Sequence, residues 1–421
     1  MKIICFGPGP KFKGGISNYN TALAKALDQF DKVDVDIVSW TNQYPAIIPR
    51  EFVDKTSKND FLEGTDIAVH YLLNYNNPLS WRETYKYIIG LKANKVIIQW
   101  AIAIQGVPLG YLAKKLSKHP DIEVIFDLHF VIQKEGSSLD NRLTKRAIQY
   151  ADTYITHAYK TVDELKELLP NLVADINEDG KRARGKKTVI KLFHPIYSLF
   201  KEDKGFNKQD FKKEHGLEKN VFLFFGFIRK YKGLHHAIRA FKLVADQRDD
   251  VSLMICGESF WKTLDQSKWS TKIKTFMFSI AKTIFLKKSD NEGDYRPLQL
   301  VKELGLEDKV FIDNKFIANE DVPKYFQTAD AVVLFYEYAT PSGIESLSYN
   351  FKKPLIATSV GHFPETIDDG FNGYLAKAEN VESMAAQMIR FLDDPLDPQN
   401  VEEKTKHLSW ENYALAVLNK N

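Results

Sequence analysis

Short apolar runs alternate with stretches of helical period along almost the whole chain. In the first half the apolar runs fall at residues 3–6, 33–38, 67–71, 96–100, 124–128, 154–157 and 189–193. Between them, residues 17–30, 109–118 and 162–168 return an apolar side chain every three or four positions, the repeat of an amphipathic helix. Wholly apolar strands spaced by such helices predict a parallel sheet covered on both faces. The pattern breaks at His194-Pro195 and through the polar stretch 201–220. It then restarts with runs at 221–225, 251–256, 310–312, 331–335, 355–357 and 373–375. The expected architecture is therefore α/β, with two Rossmann-like doubly wound parallel-sheet domains over 1–195 and 196–400. A last segment, 401–421, reads as helical around Ser409–Leu415 and is expected to pack back on the first domain.

Composition narrows the class. With 44% hydrophobic and 27% charged residues, 421 residues suit a soluble globular chain able to bury two cores. The net charge of +3 is too small for a global nucleic-acid footprint. Cys5 and Cys256 each close an apolar run, which predicts buried thiols in a reducing compartment. No run approaches the roughly 18 apolar residues of a membrane span, and the N-terminal run is too short for a signal peptide. A cytoplasmic location is expected.

Chemistry concentrates in a few turns. The run 221–225 ends at Gly226; Arg229, Lys232 and Gly233 follow, and a helical period begins with Leu234, Ala237, Ile238 and Phe241. A strand–turn–helix junction directs free N–H groups and the positive end of the helix dipole at one point, and two cations there suit a diphosphate. A solvated basic turn is the bland alternative. Gly7-Pro8-Gly9-Pro10 and Gly14-Gly15 form a second glycine-rich turn. It lacks the dinucleotide spacing, and no acidic residue ends the next strand, so a nicotinamide site is disfavoured. A third turn, Tyr336 to Glu345, opens another helix, so Ser342, Gly343 and Ile344 can offer amides to phosphate. Glu337 and Glu345 are acceptors suited to sugar or ribose hydroxyls, although a first-turn carboxylate such as Glu345 also simply complements the helix dipole. Asp127-Leu128-His129 ends a strand, where open α/β sheets bind ligands. Asp34-Val35-Asp36 has a metal-motif spacing, but alternation with Val33 and Ile37 makes it a half-exposed strand. No other cluster has metal-ligand spacing, so no metal site is expected. The stretch 261–288 interleaves lysines with aromatic and aliphatic residues. Such a helix either lies on an anionic bilayer surface or packs on its own domain with its lysines in water. Peripheral membrane association through this insertion, about 261–290, is the expectation carried forward.

Taken together, these turns resemble the retaining glycosyltransferases of family 4, whose GT-B fold sets two such domains across a cleft. Gly14-Gly15 is similar to the glycine pair of the family's first loop, and Arg229 with Lys232-Gly233 to its diphosphate-binding pair. The stretch from Val310 to Asp330, with Phe316 in it, resembles the flank of the base pocket. Glu337 and Glu345 match the family's E-x7-E spacing, and His129 resembles its histidine near the donor sugar. Three departures stand out. Arg229 lies three residues past Gly226, His362 stands where a second glycine is usual, and counting back from Pro354 puts the second glutamate at Leu347. The resemblance implies transfer of a sugar from a nucleoside diphosphate sugar to an acceptor hydroxyl, with retention and without metal or cofactor. It further implies a glycan or lipid-linked acceptor, in polysaccharide or glycolipid assembly. Arg229, Lys232 and the amides of Ser342, Gly343 and Ile344 would hold the leaving diphosphate. Glu337 would orient sugar hydroxyls, Glu345 would bind ribose, His129 would support the sugar, and Gly14, Gly15 and Phe316 would complete the donor site. A nucleotide-sugar epimerase of the same fold and a non-catalytic sugar-nucleotide or glycan-binding protein are the competing readings.

Overall fold

A computed structural model of the chain describes residues 1–46, 48, 51–132, 138–182, 185–259, 295–341 and 343–419. The basic stretch 261–288 and Ser342 lie outside the described residues. Two parallel sheets carry the fold, as expected. The first contains β1 (Lys2–Phe6), β2 (Asp34–Asn42), β3 (Ala68–Asn74), β4 (Lys95–Trp100), β5 (Glu123–Leu128), β6 (Thr153–Thr156), β7 (Ala174–Asn177) and β8 (Lys187–Lys191). Their order is β3-β2-β1-β4-β5-β6-β8-β7. The second contains β9 (Asn220–Phe225), β10 (Val251–Cys256), β11 (Val310–Asp313), β12 (Ala331–Leu334), β13 (Leu355–Thr358) and β14 (Gly373–Ala376), in the order β11-β10-β9-β12-β13-β14. Strand order reverses direction between β1 and β4 and between β9 and β12. Crevices at the carboxyl ends of strands form at such reversals, and ligands of open α/β sheets bind there.

The sequence pattern explains why these strands are buried on both faces. Every residue of β4, β5, β6 and β10 is buried, and helices cover both sides of the sheets. Polar residues on those strands are consequently paired. At one end of the first sheet, Lys95 Nζ meets Glu123 Oε2 at 2.5 Å, and Thr153 Oγ1 donates to Glu123 Oε1 at 2.7 Å. The Asp34 and Asp36 carboxylates sit on β2 and bind Lys2 Nζ at 2.8 and 2.9 Å. Both cysteines are buried free thiols. No helix among the described residues is long and apolar enough to cross a membrane.

The chain crosses between the lobes twice. The first crossing runs from β8 to β9. The second returns to the helix Trp410–Leu418, which packs beside Gly15–Asp28 with Trp410 and Tyr413 against Tyr19. Arg182, itself buried, fastens that helix. Its Nη2 donates to the Val417 carbonyl at 2.9 Å, Nη1 to those of Ala416 and Asn419, and Nε lies 2.6 Å from Glu123 Oε1. The two crossings touch each other, since Ile196 N donates to the Leu408 carbonyl at 2.9 Å.

Candidate active site

A cavity of about 260 Å³ opens between the carboxyl ends of the two sheets. Gly14, Gly15, Asn18 and His129 border it from the first lobe; Gly226, Lys232, Phe316, Ile317, Gly343 and Ile344 border it from the second. His194 and Tyr197 close it at the first crossing. Tyr197 reaches across, its hydroxyl donating to the Gly15 carbonyl at 2.8 Å. At the outer side Lys13 Nζ faces the Glu258 carboxylate at 3.5 Å and lies 4.9 Å from the Phe316 ring centroid.

The second-lobe wall is built from two turns. After β9 the chain forms a 3-10 turn, Lys230–Lys232, and Gly233 then starts the helix Leu234–Ala245. Gly233 has φ of 64°, and a Cβ there would stand 1.8 Å from the Phe335 carbonyl, so only glycine fits against the end of β12. The close approach turns Lys232 inward. Its ammonium is buried, borders the cavity and has no carboxylate partner among the described residues. Burial, reinforced by the nearby Arg229 charge, pushes its pKa down to about 7. Arg229 does not border the cavity; its guanidinium carbon lies 5.0 Å from the Tyr231 ring centroid, near enough for its charge to act on Lys232. The second turn begins the helix Gly343–Asn350, whose first residues border the cavity. Amides in the first turn of a helix have no intrahelical acceptor, so this end is suited to an anion.

The first-lobe wall is a closed polar network. Asp127, completely buried at the end of β5, accepts from His157 Nε2 at 2.8 Å, Gln99 Nε2 at 3.3 Å and the Tyr413 hydroxyl at 3.2 Å. Burial pushes the Asp127 carboxyl upward. The charge and hydrogen bond of His157 outweigh it and hold Asp127 below the usual carboxylate range. His129 lies 5.2 Å from His157, ring to ring, and its Nε2 is 2.7 Å from Gln99 Oε1. Burial drives the His129 pKa down to about 3 against the pull of Asp127, so the ring is neutral at ordinary pH. His194 is likewise depressed by burial and lies 2.7 Å from Ser346 Oγ.

Gly14, Gly15, His129, Lys232, Phe316, Gly343 and Ile344 thus meet at one cavity, which Arg229 does not border. Two expected contacts differ. Glu345 points away from the cavity into the second lobe, where His362 Nε2 lies 2.5 Å from its Oε2 and Thr366 and Tyr349 donate to Oε1. The helix begins at Gly343, and its register gives the cavity Leu347 instead, two positions on. Nor does Glu337 border the cavity. Its amide donates to the Tyr231 carbonyl at 2.7 Å, and its Oε1 lies 3.7 Å from His235 Nε2 and 4.0 Å from His236 Nε2. That cluster has the composition of a cation site. Burial above all, with the neighbouring His236, Arg239 and Lys230, depresses His235 to about 3. Gln99, His157, Tyr197 and Glu258 are members of the site that the sequence did not single out as such. Two of these carried a signal: Gln99 as an amide within the apolar run Val96–Trp100, and His157 as a strand-end histidine whose expected role was structural or supporting.

Comparison with known proteins agrees with this geometry. Residues 205–408 match the family model described as glycosyl transferases group 1. The chain is 22% identical over 333 residues to N-acetyl-alpha-D-glucosaminyl L-malate synthase of Bacillus anthracis, covering 77% of this chain and 72% of that protein. Among solved structures it superposes on sucrose-phosphate synthase from Thermosynechococcus elongatus with a TM-score of 0.64 at 17% identity, over 98% of this chain and 96% of the other. Alr3699/HepE of Anabaena, solved in complex with UDP, gives 0.62 at 15% identity, over 99% and 97%. Residues 205–408, just under half of the chain, thus match a group 1 glycosyltransferase domain, and the whole chain shares the two-lobed GT-B architecture of those solved structures.

Proposed function

We propose that the cavity binds a nucleoside diphosphate sugar and that the protein transfers the sugar to an acceptor hydroxyl on a glycan or lipid-linked glycan. One observation carries the reading. Lys232 is a buried amine without a carboxylate partner among the described residues, held beside a helix start in the wall of a cavity. Such an arrangement is unfavourable until an anion fills it. Arg229, whose charge acts on Lys232, and the Gly343 and Ile344 amides complete a cradle that stabilises a diphosphate more as it departs and gains charge. Phe316, Ile317 and Phe225 form an apolar slot beside the cradle that suits a nucleobase. The UDP complex of Alr3699/HepE supports the assignment of this cleft to a nucleotide.

Charge neutralisation by Arg229 and Lys232 makes the reaction independent of metal in this reading, so turnover survives a chelator. Glu258 is the only carboxylate in the cavity wall among the described residues, and it faces Lys13. That favours a departing phosphate oxygen over a side-chain base as the group that takes the acceptor proton, and hence retention of anomeric configuration. A thermal-shift panel of nucleoside diphosphates and their sugar conjugates tests the reading. A ligand at 100 times its Kd adds about 2.7 kcal/mol of stability. A panel in which no nucleotide raises the melting temperature would defeat it, and the anomeric proton coupling of the product decides retention.

A further inference from the structure

The first-lobe wall fixes more than the position of His129. Asp127 is held ionised, and an ionised carboxylate can only accept hydrogen bonds. The Gln99 atom 3.3 Å from Asp127 Oδ2 is therefore the amide nitrogen, and the Gln99 carbonyl oxygen is turned toward His129. An acceptor oxygen 2.7 Å from His129 Nε2 requires a proton on that nitrogen. Burial keeps the His129 ring neutral, with a pKa of about 3, so its Nδ1 carries no proton. Nε2 is occupied by Gln99 and the ring borders the cavity, which leaves Nδ1 as the nitrogen available to a ligand.

The loop above is shaped around this amide. A Cβ on Gly7 would stand 2.7 Å from Gln99 Cγ and 3.0 Å from its Cβ. Glycine at position 7 thus leaves the space in which the Gln99 side chain lies between Asp127 and His129. A glutamine at the carboxyl end of a fully buried strand, satisfied at both ends and given room by a glycine, is costly to maintain unless its orientation matters.

We propose that Gln99 is a positioning residue: oriented by Asp127, it holds His129 in the Nε2–H tautomer and so presents a bare Nδ1 lone pair to the cavity, where it accepts a hydrogen bond from a hydroxyl of the donor sugar. The role of Nδ1 rests on the nucleotide-sugar reading above; the tautomer does not. In that tautomer the ring discriminates among sugars, since it gains from a hydroxyl that can donate and gains nothing from an ether or a deoxy carbon at the same place. It also leaves His129 uncharged throughout the working pH range, so the contact adds no pH dependence.

Long-range proton–nitrogen correlation spectra of protein labelled with nitrogen-15 histidine read the tautomer in the free protein at pH 7. The His129 signals are assigned by their loss in His129→Asn. The expected wild-type pattern is the neutral Nε2–H form, and Gln99→Met is expected to convert it to a mixture or to Nδ1–H. With whichever nucleoside diphosphate sugar the protein turns over, Gln99→Met should raise the donor KM about tenfold while kcat stays within about twofold, the scale of one hydrogen bond. Where Gln99→Met does not fold, Gln99→Glu carries the test. A carboxylate beside His129 retains Nε2–H and lifts the ring's titration from about 3 toward neutrality. An Nδ1–H wild-type ring, a tautomer indifferent to Gln99→Met, or an unchanged KM with a changed tautomer would each overturn the proposal. Absence of turnover with every donor would defeat the nucleotide-sugar reading and the role of Nδ1, while the spectra still decide the tautomer.

Discussion

On the first-lobe side of the cavity, Asp127, Gln99, His157, Tyr413 and His129 direct their polar atoms at one another. On the second-lobe side, Lys232 borders the cavity with no carboxylate partner among the described residues. Both walls bury ionisable groups, yet burial has opposite consequences. Asp127 keeps its charge because His157 answers it, whereas Lys232 falls to about 7 because no carboxylate does. A buried charge that is paired belongs to the folded state; one that is not belongs to a complex that has yet to form. Damage to the first wall should therefore appear as lost stability and damage to the second as lost ligand.

The sharpest test of that division is Asp127→Ala. It strips an acceptor from three buried donors and should destabilise the protein by about 3–5 kcal/mol in a denaturant titration. A loss below about 1 kcal/mol would break the comparison on the first side. Lys232→Met should do the reverse, leaving the melting temperature equal or higher while turnover falls about 10²–10³-fold. Near-normal turnover in Lys232→Met would break it on the second side. Smaller in effect is Glu365→Ala. Glu365, from the second lobe, accepts from the first amides of the helix Tyr159–Leu168, those of Tyr159 at 2.8 Å and Lys160 at 3.2 Å, where Ala158 supplies no side-chain cap. Its loss should cost about 1 kcal/mol, read as a lower denaturation midpoint at unchanged slope.

The smallest effect is the most diagnostic. Lys232 has a folded pKa of about 7, below its ordinary value of 10.5. The unfolded chain therefore binds more protons between those values, and this residue's contribution to stability rises as pH rises from about 7 to 10.5. A bound diphosphate restores the ammonium form. Nucleotide binding above pH 7 should take up a fraction of a proton and weaken as pH climbs. Calorimetry in two buffers of different ionisation enthalpy measures the uptake, and Lys232→Met should abolish it.

Thirteen of the fourteen strands are legible as apolar runs, and the exception is instructive. β7, Ala174–Asn177, is a half-exposed edge strand with the sequence ADIN, so it needs no apolar run to be buried. The turn that places Lys232 in the cavity wall was legible because glycines, cations and a helical period coincide at residues 226–241. The two glutamates were not: spacing does not report which way the helix carrying Glu345 faces, nor that the bend after β12 turns Glu337 toward His235 and His236. Glu345 and His362 each depart from the family pattern, and the structure bonds them to each other. That contact lies inside the second lobe, while Leu347 takes the cavity position. His129 was legible as a strand-end residue, but its tautomer depends on Gln99 and Asp127, which lie on two strands adjacent only in the folded sheet.

The contact between Ile196 and Leu408 has a mechanical meaning. Two lengths of backbone joining the same two bodies, and laced to each other where they pass, act like the spine of a book. The covers can swing about that line, but sliding or twisting would tear the lacing. Lys13 with Glu258 and Tyr197 with Gly15 bridge the two covers, so a swing about that line would stretch both pairs.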